Sequence, residues 1–578
     1  MDAAALQKRV LKELRFCGLS VRPDALRELV AVLLGESDQS GSLQLLLKEI
    51  KAVASAGSAI ELATVRKVVS ELSRADEEAA HEAAHVVGAF SMPSFKYNAS
   101  RAQFYRVEFS RCSAKMAAGA LRDRYALLLQ RLLRHPMFAP PLAGMQLGGE
   151  AGKEAARRRV KASRREQRHC ELTAIESLMA SPGPRVVLGL VSRLGDGRLC
   201  LDDLNGRVPV DLREASYGAG LITEGCIVLA EGQLQDGVFV PANVYFPPAE
   251  PREQSRAAHG GLDFVREGAA ARSREQLEQL AALEATEPGA CLVFLSEVHL
   301  DNPRTLRALE RALEGFAAMS PAPSAIVLLG AFTAAPVGEA EGQVSASSFA
   351  ALMGQLGALL GRFLSGPLRE SQVLLVPGPG DPGGAGVLPR PPLPLALAQP
   401  LLDAVLRSAE PPGGSGSGGA SGGASGGGSG GASNVLLCTN PCRVLHLSQE
   451  LVVVREDLAR KMRRHCVLDP EAARGAQRLG PGEHLARTLL DQAHLAPLPP
   501  AVRPVAWAHD AALRLYPAPH ALVAADSYEP YSVQHQGSQV FNPGSFADGH
   551  SFAFYTPADR AVHFSKLQAA PEDGDMDG

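Results

Sequence analysis

The 578-residue sequence contains no C-x-x-C pair and one tryptophan, only 5% of its residues are aromatic, and 11 of its 58 cationic residues are lysine. Its nine cysteines (17, 112, 170, 200, 226, 291, 438, 442 and 466) are scattered and odd in number. That pattern excludes a zinc module and a disulfide framework and fits a reducing compartment. No apolar run approaches the ~18 residues of a membrane span, and the opening MDAAALQKRVLKELRF is charged every few residues, so neither a span nor a signal peptide is expected. A soluble, intracellular protein is the expectation. Charge of one sign is also lacking. With 58 Lys+Arg against 62 Asp+Glu the net charge is -4, which removes any general attraction to nucleic acid or an anionic membrane and leaves only local contacts. What is present is ordinary globular material, 46% hydrophobic and 21% charged. A chain this long is expected to form about three to five domains.

Residues 1–75 place apolar side chains at helical spacing: Leu6, Val10, Leu11, Leu14; Leu26, Leu29, Val30, Leu33; Leu43, Leu46, Leu47, Ile50; Leu62, Val65, Val68, Val69. Asp24 after Pro23, and Ser58 ahead of Glu61, are candidate helix starts. The spacing predicts a compact four-helix unit, either a docking module or a piece that packs on the rest. Residues 76–170 read as a connector. It holds an acidic, Ala-rich helix from Asp76 to Val87, an extended stretch from Phe90 to Asn98, and a helix from about Arg122 to Leu133 ending near Pro136. It also carries a basic insert with Arg157, Arg158, Arg159, Lys161, Arg164 and Arg165. Such a cluster fits a nuclear import signal, a DNA phosphate contact or a solvated helix face.

From Pro184 to Pro248 the period becomes that of strands: 186–191, 198–201, 208–212, 226–231 and 238–240, separated by Gly195-Asp-Gly197, Asn205-Gly206 and Asp236-Gly237. Five short strands within residues 171–255 predict an OB barrel. Base stacking in such a barrel needs aromatics in a basic groove, and here only Phe239, Tyr245 and Phe246 are on offer with few cations, which favours protein contact or packing over DNA.

Across residues 285–567 apolar strands (291–295, 325–329, 373–376, 435–437, 522–524) alternate with helices, an α/β pattern whose chemistry would sit at the carboxyl ends of the strands. Residues 411–434, almost pure Gly, Ser and Ala, read as a flexible loop holding 12 of the 57 glycines, and 568–578 as an acidic tail. The strand ends resemble, in order, the metal-binding turns of calcineurin-like phosphoesterases, stripped of ligands. The first turn keeps Glu297 and His299; the second has Ala331 and Ala334 where two carboxylates belong; the third has Pro379, Gly380 and Asp381; the fourth, Cys438-Thr-Asn-Pro-Cys442, has no His; the last has Asp526 and Tyr528 in place of two His. Two ions at ~3.5 to 4 Å demand a dense set of ligands, including a bridging carboxylate, and Ala331 stands in its place. No metal or other cofactor is expected. Glu297, His299, Asp381 and Asp526 holding a single ion, as a metal-dependent phosphodiesterase with a reduced site, is the alternative. The plainer reading of His299 is a partly buried side chain bonded to backbone, and that of Cys438 and Cys442 two strand-end thiols.

An OB barrel joined to an inactivated phosphoesterase domain resembles the B subunits of replicative DNA polymerases, and the epsilon type among them. The stretches that carry the likeness are 89–98, Arg122-Asp-Arg-Tyr125, 376–382, Leu388-Pro-Arg-Pro-Pro392, Thr439-Asn-Pro-Cys-Arg443, Arg455-Glu-Asp-Leu458 and 542–546. The resemblance implies a multidomain α + β fold: an N-terminal four-helix domain similar to the lid of AAA+ ATPases, a five-stranded OB barrel, and an α/β calcineurin-like phosphoesterase domain without activity. It further implies a nuclear scaffold of the replisome in DNA replication. Its partners would be the cysteine-rich C-terminal domain of the catalytic subunit of DNA polymerase epsilon, the GINS/CMG helicase through the N-terminal domain, and small histone-fold subunits of the same complex. DNA would be touched indirectly or weakly.

Overall fold

A computed structural model of the chain describes residues 3–16, 20–35, 84–108, 115–139, 170–266, 272–384, 386–409, 434–468 and 477–567, with single positions between 43 and 68 and at 470 and 475. The basic insert, most of the Gly-rich loop, the acidic tail, Ser58 and Glu61 lie outside the described residues.

At the N-terminus α1 (Ala3–Phe16) and α2 (Pro23–Gly35) turn the expected stripes inward: Leu6, Val10, Leu14, Leu26, Leu29 and Leu33 share one core with Leu43, Leu46, Val65 and Val68. Proline itself opens α2, and Asp24 falls in its first turn, where a carboxylate meets the positive end of the helix. Two short parallel strands, β1 (Ser20–Val21) and β2 (Ala59–Ile60), join this unit and were not anticipated.

Residues 76–83 of the expected acidic helix lie outside the described residues, and at 84–87 the expectation fails. Residues His85–Gly88 form strand β3, which completes the edge of a sheet by pairing antiparallel with residues 442–445. Two consecutive valines favour extended backbone, and distant pairing outweighs the Ala-rich helical pattern before them. Next come β4 (Ser94–Asn98) and β5 (Gln103–Val107), a hairpin whose Phe95 and Phe104 enter an aromatic cluster with Phe264 and Tyr516, ring centres 5.0 to 5.6 Å apart. Helix α3 (Met116–Arg134) follows where a helix was expected and buries Leu127, Leu128 and Leu132 against Leu188, Ile227 and Leu229. The stretch read as a connector is therefore built into the body at both ends.

The barrel comprises β6 (Arg185–Arg193), β7 (Leu199–Asp202), β8 (Arg207–Pro209), β9 (Ser216–Tyr217), β10 (Ile227–Gln235) and β11 (Val238–Tyr245), in the order β8-β7-β6-β10-β11-β9. Closure comes beyond β8, where Val210 bridges Phe239 and the Asp211 N–H donates to the Phe239 carbonyl at 3.0 Å. Asp236 (φ 48°) and Gly237 (φ 79°) both take left-handed backbone in the β10–β11 turn, as a two-residue hairpin of this twist requires. Alternate residues Val187, Val191, Leu201, Val228, Ala230 and Val244 fill the interior. Phe239 is fully buried there and Phe246 nearly so, leaving Tyr245 as the one of the three aromatics with a half-exposed ring.

The α/β region is four layers deep. One sheet contains β12 (Leu292–Ser296), β13 (Ala325–Leu329), β14 (Gln372–Val376), β15 (Val435–Leu437), and the hairpin of β21 (Ser551–Thr556) and β22 (Ala561–Lys566), in the order β15-β14-β13-β12-β21-β22. The second contains β16 (Cys442–His446), β17 (Gln449–Arg455), β18 (Ala521–Ala525), β19 (Tyr531–His535) and β20 (Ser538–Asn542), in the order β19-β20-β18-β17-β16-β3. Leu292 and Phe294, Leu374 and Val376, Leu451 and Val453 face the core between the sheets. Their neighbours Val293 and Leu295, and Val373 and Leu375, face α4 (Pro303–Ala317), α5 (Ala346–Leu364) and α6 (Leu395–Ala409) outside. Val452 and Val454 face α7 (Leu458–His465) and α8 (Pro481–Asp491) across the other sheet. Strands covered on both faces need continuous apolar runs, which is why β13 reads AIVLL and is buried at every position.

Candidate functional site

Parallel strands deliver their following turns to one edge. Here the turns after β12, β13, β14, β17 and β18 meet, and a single side chain ties three of them together. Arg455, the last residue of β17 and 2% exposed, donates through Nη2 to Glu297 Oε1 at 2.7 Å, through Nη1 to Asp457 Oδ1 at 2.7 Å and through Nε to the Gly330 carbonyl at 2.8 Å. Its own backbone is clamped by buried Asn440, whose Oδ1 accepts from Arg455 N–H at 3.1 Å and whose Nδ2 donates to the Arg455 and Pro377 carbonyls at 2.7 and 2.8 Å.

The residues singled out from the sequence distribute around this centre. Glu297 takes left-handed backbone, φ 59°, and reaches Arg455. His299 is half-buried; among the described residues its ring makes no hydrogen bond, so the backbone bond expected of it is not formed, although its N–H donates to the Glu297 carbonyl at 3.0 Å. Ala331 is half-buried, and Ala334 is exposed with its N–H capped by Asp301 at 3.0 Å. Pro379 and Gly380 are half-buried on the third turn.

Asp381 is turned onto backbone. Oδ1 accepts from Phe332 N–H at 2.9 Å and Oδ2 from Gly378 N–H at 2.7 Å. The carboxylate fits because Gly330 and Gly378 lack side chains: a Cβ on Gly330 would stand 1.8 Å from Asp381 Oδ2, and one on Gly378 2.6 Å from the Gly330 carbonyl carbon. Burial pushes the Asp381 carboxyl up to about 6, although the two amides and Arg455 pull the other way.

Asp526 is 1% exposed; Oδ2 accepts from Ala459 N–H at 3.0 Å, while Oδ1 is buried with no partner. Burial first, then repulsion from Asp457, raise its carboxyl to about 6. Burial acts against charged Asp457 too, but Arg455 holds that group below the usual carboxylate range. Tyr528 is partly exposed, and its hydroxyl accepts from Arg463 at 3.1 Å. Cys438 and Cys442 are buried free thiols in the core between the sheets; contact with Cys438 and burial raise the Cys442 thiol. Among the described residues no group of three or more His, Cys, Asp and Glu is disposed to hold a metal ion. The single-ion set of Glu297, His299, Asp381 and Asp526 is thus not assembled: Glu297 is engaged by Arg455 and Asp381 by main chain.

Sequence reasoning missed the residues that organise the centre. Arg455, Asp457 and Asn440 all lie in stretches whose only mark was their likeness to a family. Beside them, fully buried Glu456 meets three cations: Arg503 at 2.8 Å, Arg390 at 3.3 Å, and Lys461. A run of charged residues directly after the apolar stretch 451–454 was the signal available, since buried charge persists only when paired.

A second polar region lies where the barrel meets the α/β layers. Arg131 of α3, 3% exposed, donates to the carbonyls of Pro247 at 2.9 Å and Leu490 at 3.3 Å, and to that of Asp491. Gln492 pairs with Ile227 as a strand would, accepting from its N–H and donating to its carbonyl, both at 2.7 Å. Leu221 N–H donates to Thr488 Oγ1 at 2.8 Å, and Tyr125 OH to the Leu188 carbonyl at 3.0 Å.

A barrel locked by such a seam onto a two-sheet α/β body whose strand ends carry a guanidinium is the setting for two family matches. Residues 292–533 match the family of DNA polymerase alpha/epsilon B subunits, and residues 114–248 match the OB-fold domain of DNA polymerase epsilon subunit 2-like proteins. The second match begins at α3, well ahead of the expected barrel start at 171, in keeping with how α3 packs on the strands. Relatives extend the likeness to nearly the whole chain. DNA polymerase epsilon subunit 2 of Homo sapiens is 33% identical over 98% of this chain and 100% of its own length. The DNA polymerase epsilon B subunit of Arabidopsis thaliana is 32% identical over 97% and 99%, and DNA polymerase epsilon subunit 2 of Drosophila melanogaster 31% identical over 98% and 99%. The chain belongs to the B-subunit family of DNA polymerase epsilon. Among the described residues no helix is long and apolar enough to cross a membrane.

Proposed function

We propose that this chain is a non-catalytic accessory subunit of the DNA polymerase epsilon complex, acting in the nucleus as a scaffold. In this reading the α/β region is a calcineurin-like phosphoesterase domain that has lost its activity, and with the OB barrel it grips the cysteine-rich C-terminal domain of the catalytic subunit. The N-terminal helical unit, similar to an AAA+ lid, joins that assembly to the GINS component of the CMG helicase, and the small histone-fold subunits belong to the same complex. DNA contact is indirect or weak, with the basic insert around Arg157–Arg165 serving as an import signal or a phosphate contact.

The observation that carries the reading is Arg455 at the meeting point of the strand ends. Hydrolysis of a phosphodiester by two metals needs carboxylates free to bridge ions and a site open to water. Glu297 and Asp457 are instead committed to an internal cation, Asp381 to backbone amides, and the bridging position is Ala331. Supporting it, hydrogen bonds across the seam join the barrel to the α/β layers, the two family-matched regions.

The test is co-purification with the C-terminal region of the catalytic subunit, comparing the full chain with one lacking residues 1–75. Both are expected to retain the polymerase region, and only the full chain to retain the helicase component. A full-length chain that elutes alone as a monodisperse species would contradict the proposal.

A further inference from the structure

Four carboxylates, Glu297, Asp381, Asp457 and Asp526, follow four different strands to one edge of the molecule, and Arg455 acts electrostatically on each of them. Such a gathering normally requires a cation, because like charges removed from water repel strongly. We infer that Arg455 is that cation: its guanidinium stands in for a metal ion, and the centre is a converted metal site with the positive charge built into the chain.

Three observations support this beyond the clustering of acids. The guanidinium is used in the manner of a ligated ion, with three donors going to oxygens of three separate turns at 2.7, 2.7 and 2.8 Å. It is almost wholly buried, and Asn440, itself fully buried, fixes its backbone from both sides, so its position is set independently of the acids it meets. Finally, Asp526 Oδ1 is a buried acceptor with no partner, as expected where a fork-shaped group with a limited set of donors replaces a sphere that could be approached from any direction. The inference rests on reading the strand ends as a former metal centre.

The test uses the full-length chain, with thermal unfolding followed in EDTA and in millimolar manganese. Arg455→Met takes from Glu297 and Asp457 the guanidinium they share and is expected to lower the midpoint in EDTA by on the order of 10 °C. Manganese should recover part of that loss while leaving the wild type unchanged. The triple variant Arg455→Met, Glu297→Gln, Asp457→Asn removes the charges that needed neutralising and should regain most of the loss without metal. If Arg455→Met yields no folded protein, soluble yield of the triple variant replaces the comparison, and recovery supports the inference. A triple variant as unstable as the single one, or a folded Arg455→Met that manganese does not raise, overturns it. The underlying reading fails separately: manganese bound in stoichiometric amount by the wild type would show that the metal site was never converted.

Discussion

Two buried polar regions of this molecule solve the same problem differently. At the seam between barrel and α/β layers, Arg131 and Gln492 are answered by main-chain groups, with Gln492 copying the pairing of a strand and Arg131 Nε left without a partner. At the strand ends charge answers charge: Arg455 holds two carboxylates, a third is held by amides, and a fourth keeps one oxygen unpaired. A surface built to hold two layers together is answered by neutral main-chain groups and loses stability when a partner is removed. The strand-end centre keeps a buried carboxylate oxygen without a partner, and removing that charge should strengthen it.

The largest effect is expected of Arg131→Met. The carbonyls of Pro247 and Asp491 would lose this donor while that of Leu490 keeps the Ala493 N–H, and the variant should lose about 3 kcal/mol in urea unfolding, with the barrel separating from the α/β layers early in the transition. A loss under about 1 kcal/mol would mean that the seam is held by its apolar contacts alone.

Asp526→Asn should act in the opposite direction. A carboxyl raised to about 6 in the folded protein and titrating at its ordinary value when unfolded binds its proton more tightly in the fold. Its contribution is therefore fully present below about pH 4 and lost as pH rises through about 6. The amide escapes that loss and still accepts from Ala459, so the variant should match the wild type near pH 4 and exceed it by about 1 to 3 kcal/mol at pH 7.5. A variant less stable at pH 7.5 breaks the contrast between the two regions. Asp381 shares the sign of the pH dependence, but both of its oxygens accept from N–H groups, so an amide there would set donor against donor.

The smallest effect is expected of Gln492→Ala, about 1 to 2 kcal/mol in the same urea experiment, because Ile227 loses two hydrogen bonds at the start of β10. A neutral result would indicate that water takes over both.

Much of this was legible in the sequence for local reasons. Five of the barrel strands, the Asp236-Gly237 turn and the apolar runs of β13 and β15 are short-range signals of period and turn chemistry and overlap the stretches where they were read, whereas β9 was not anticipated and the strand read at 208–212 ends at Pro209. The helical stripe of Leu6, Val10, Leu14, Leu26, Leu29 and Leu33 was equally plain. What escaped depends on contacts distant in sequence. Residues 85–88 become a strand only because residues 442–445 offer an edge, and α3 belongs to the barrel only because Leu188, Ile227 and Leu229 receive it. At the strand ends the turns could be located by position, but the side chain that joins them could not. Arg455 lies 158 residues from Glu297, and nothing in its local pattern says which carboxylates it will neutralise.

The most direct measurement is calorimetric titration of manganese into the wild-type chain, run beside an assay of aryl phosphodiester hydrolysis on the same preparation. With Arg455 holding Glu297 and Asp457, no saturable heat and no turnover are expected. Stoichiometric binding, together with hydrolysis that His299→Ala abolishes, would contradict the account and return the chain to the metal-dependent phosphodiesterases.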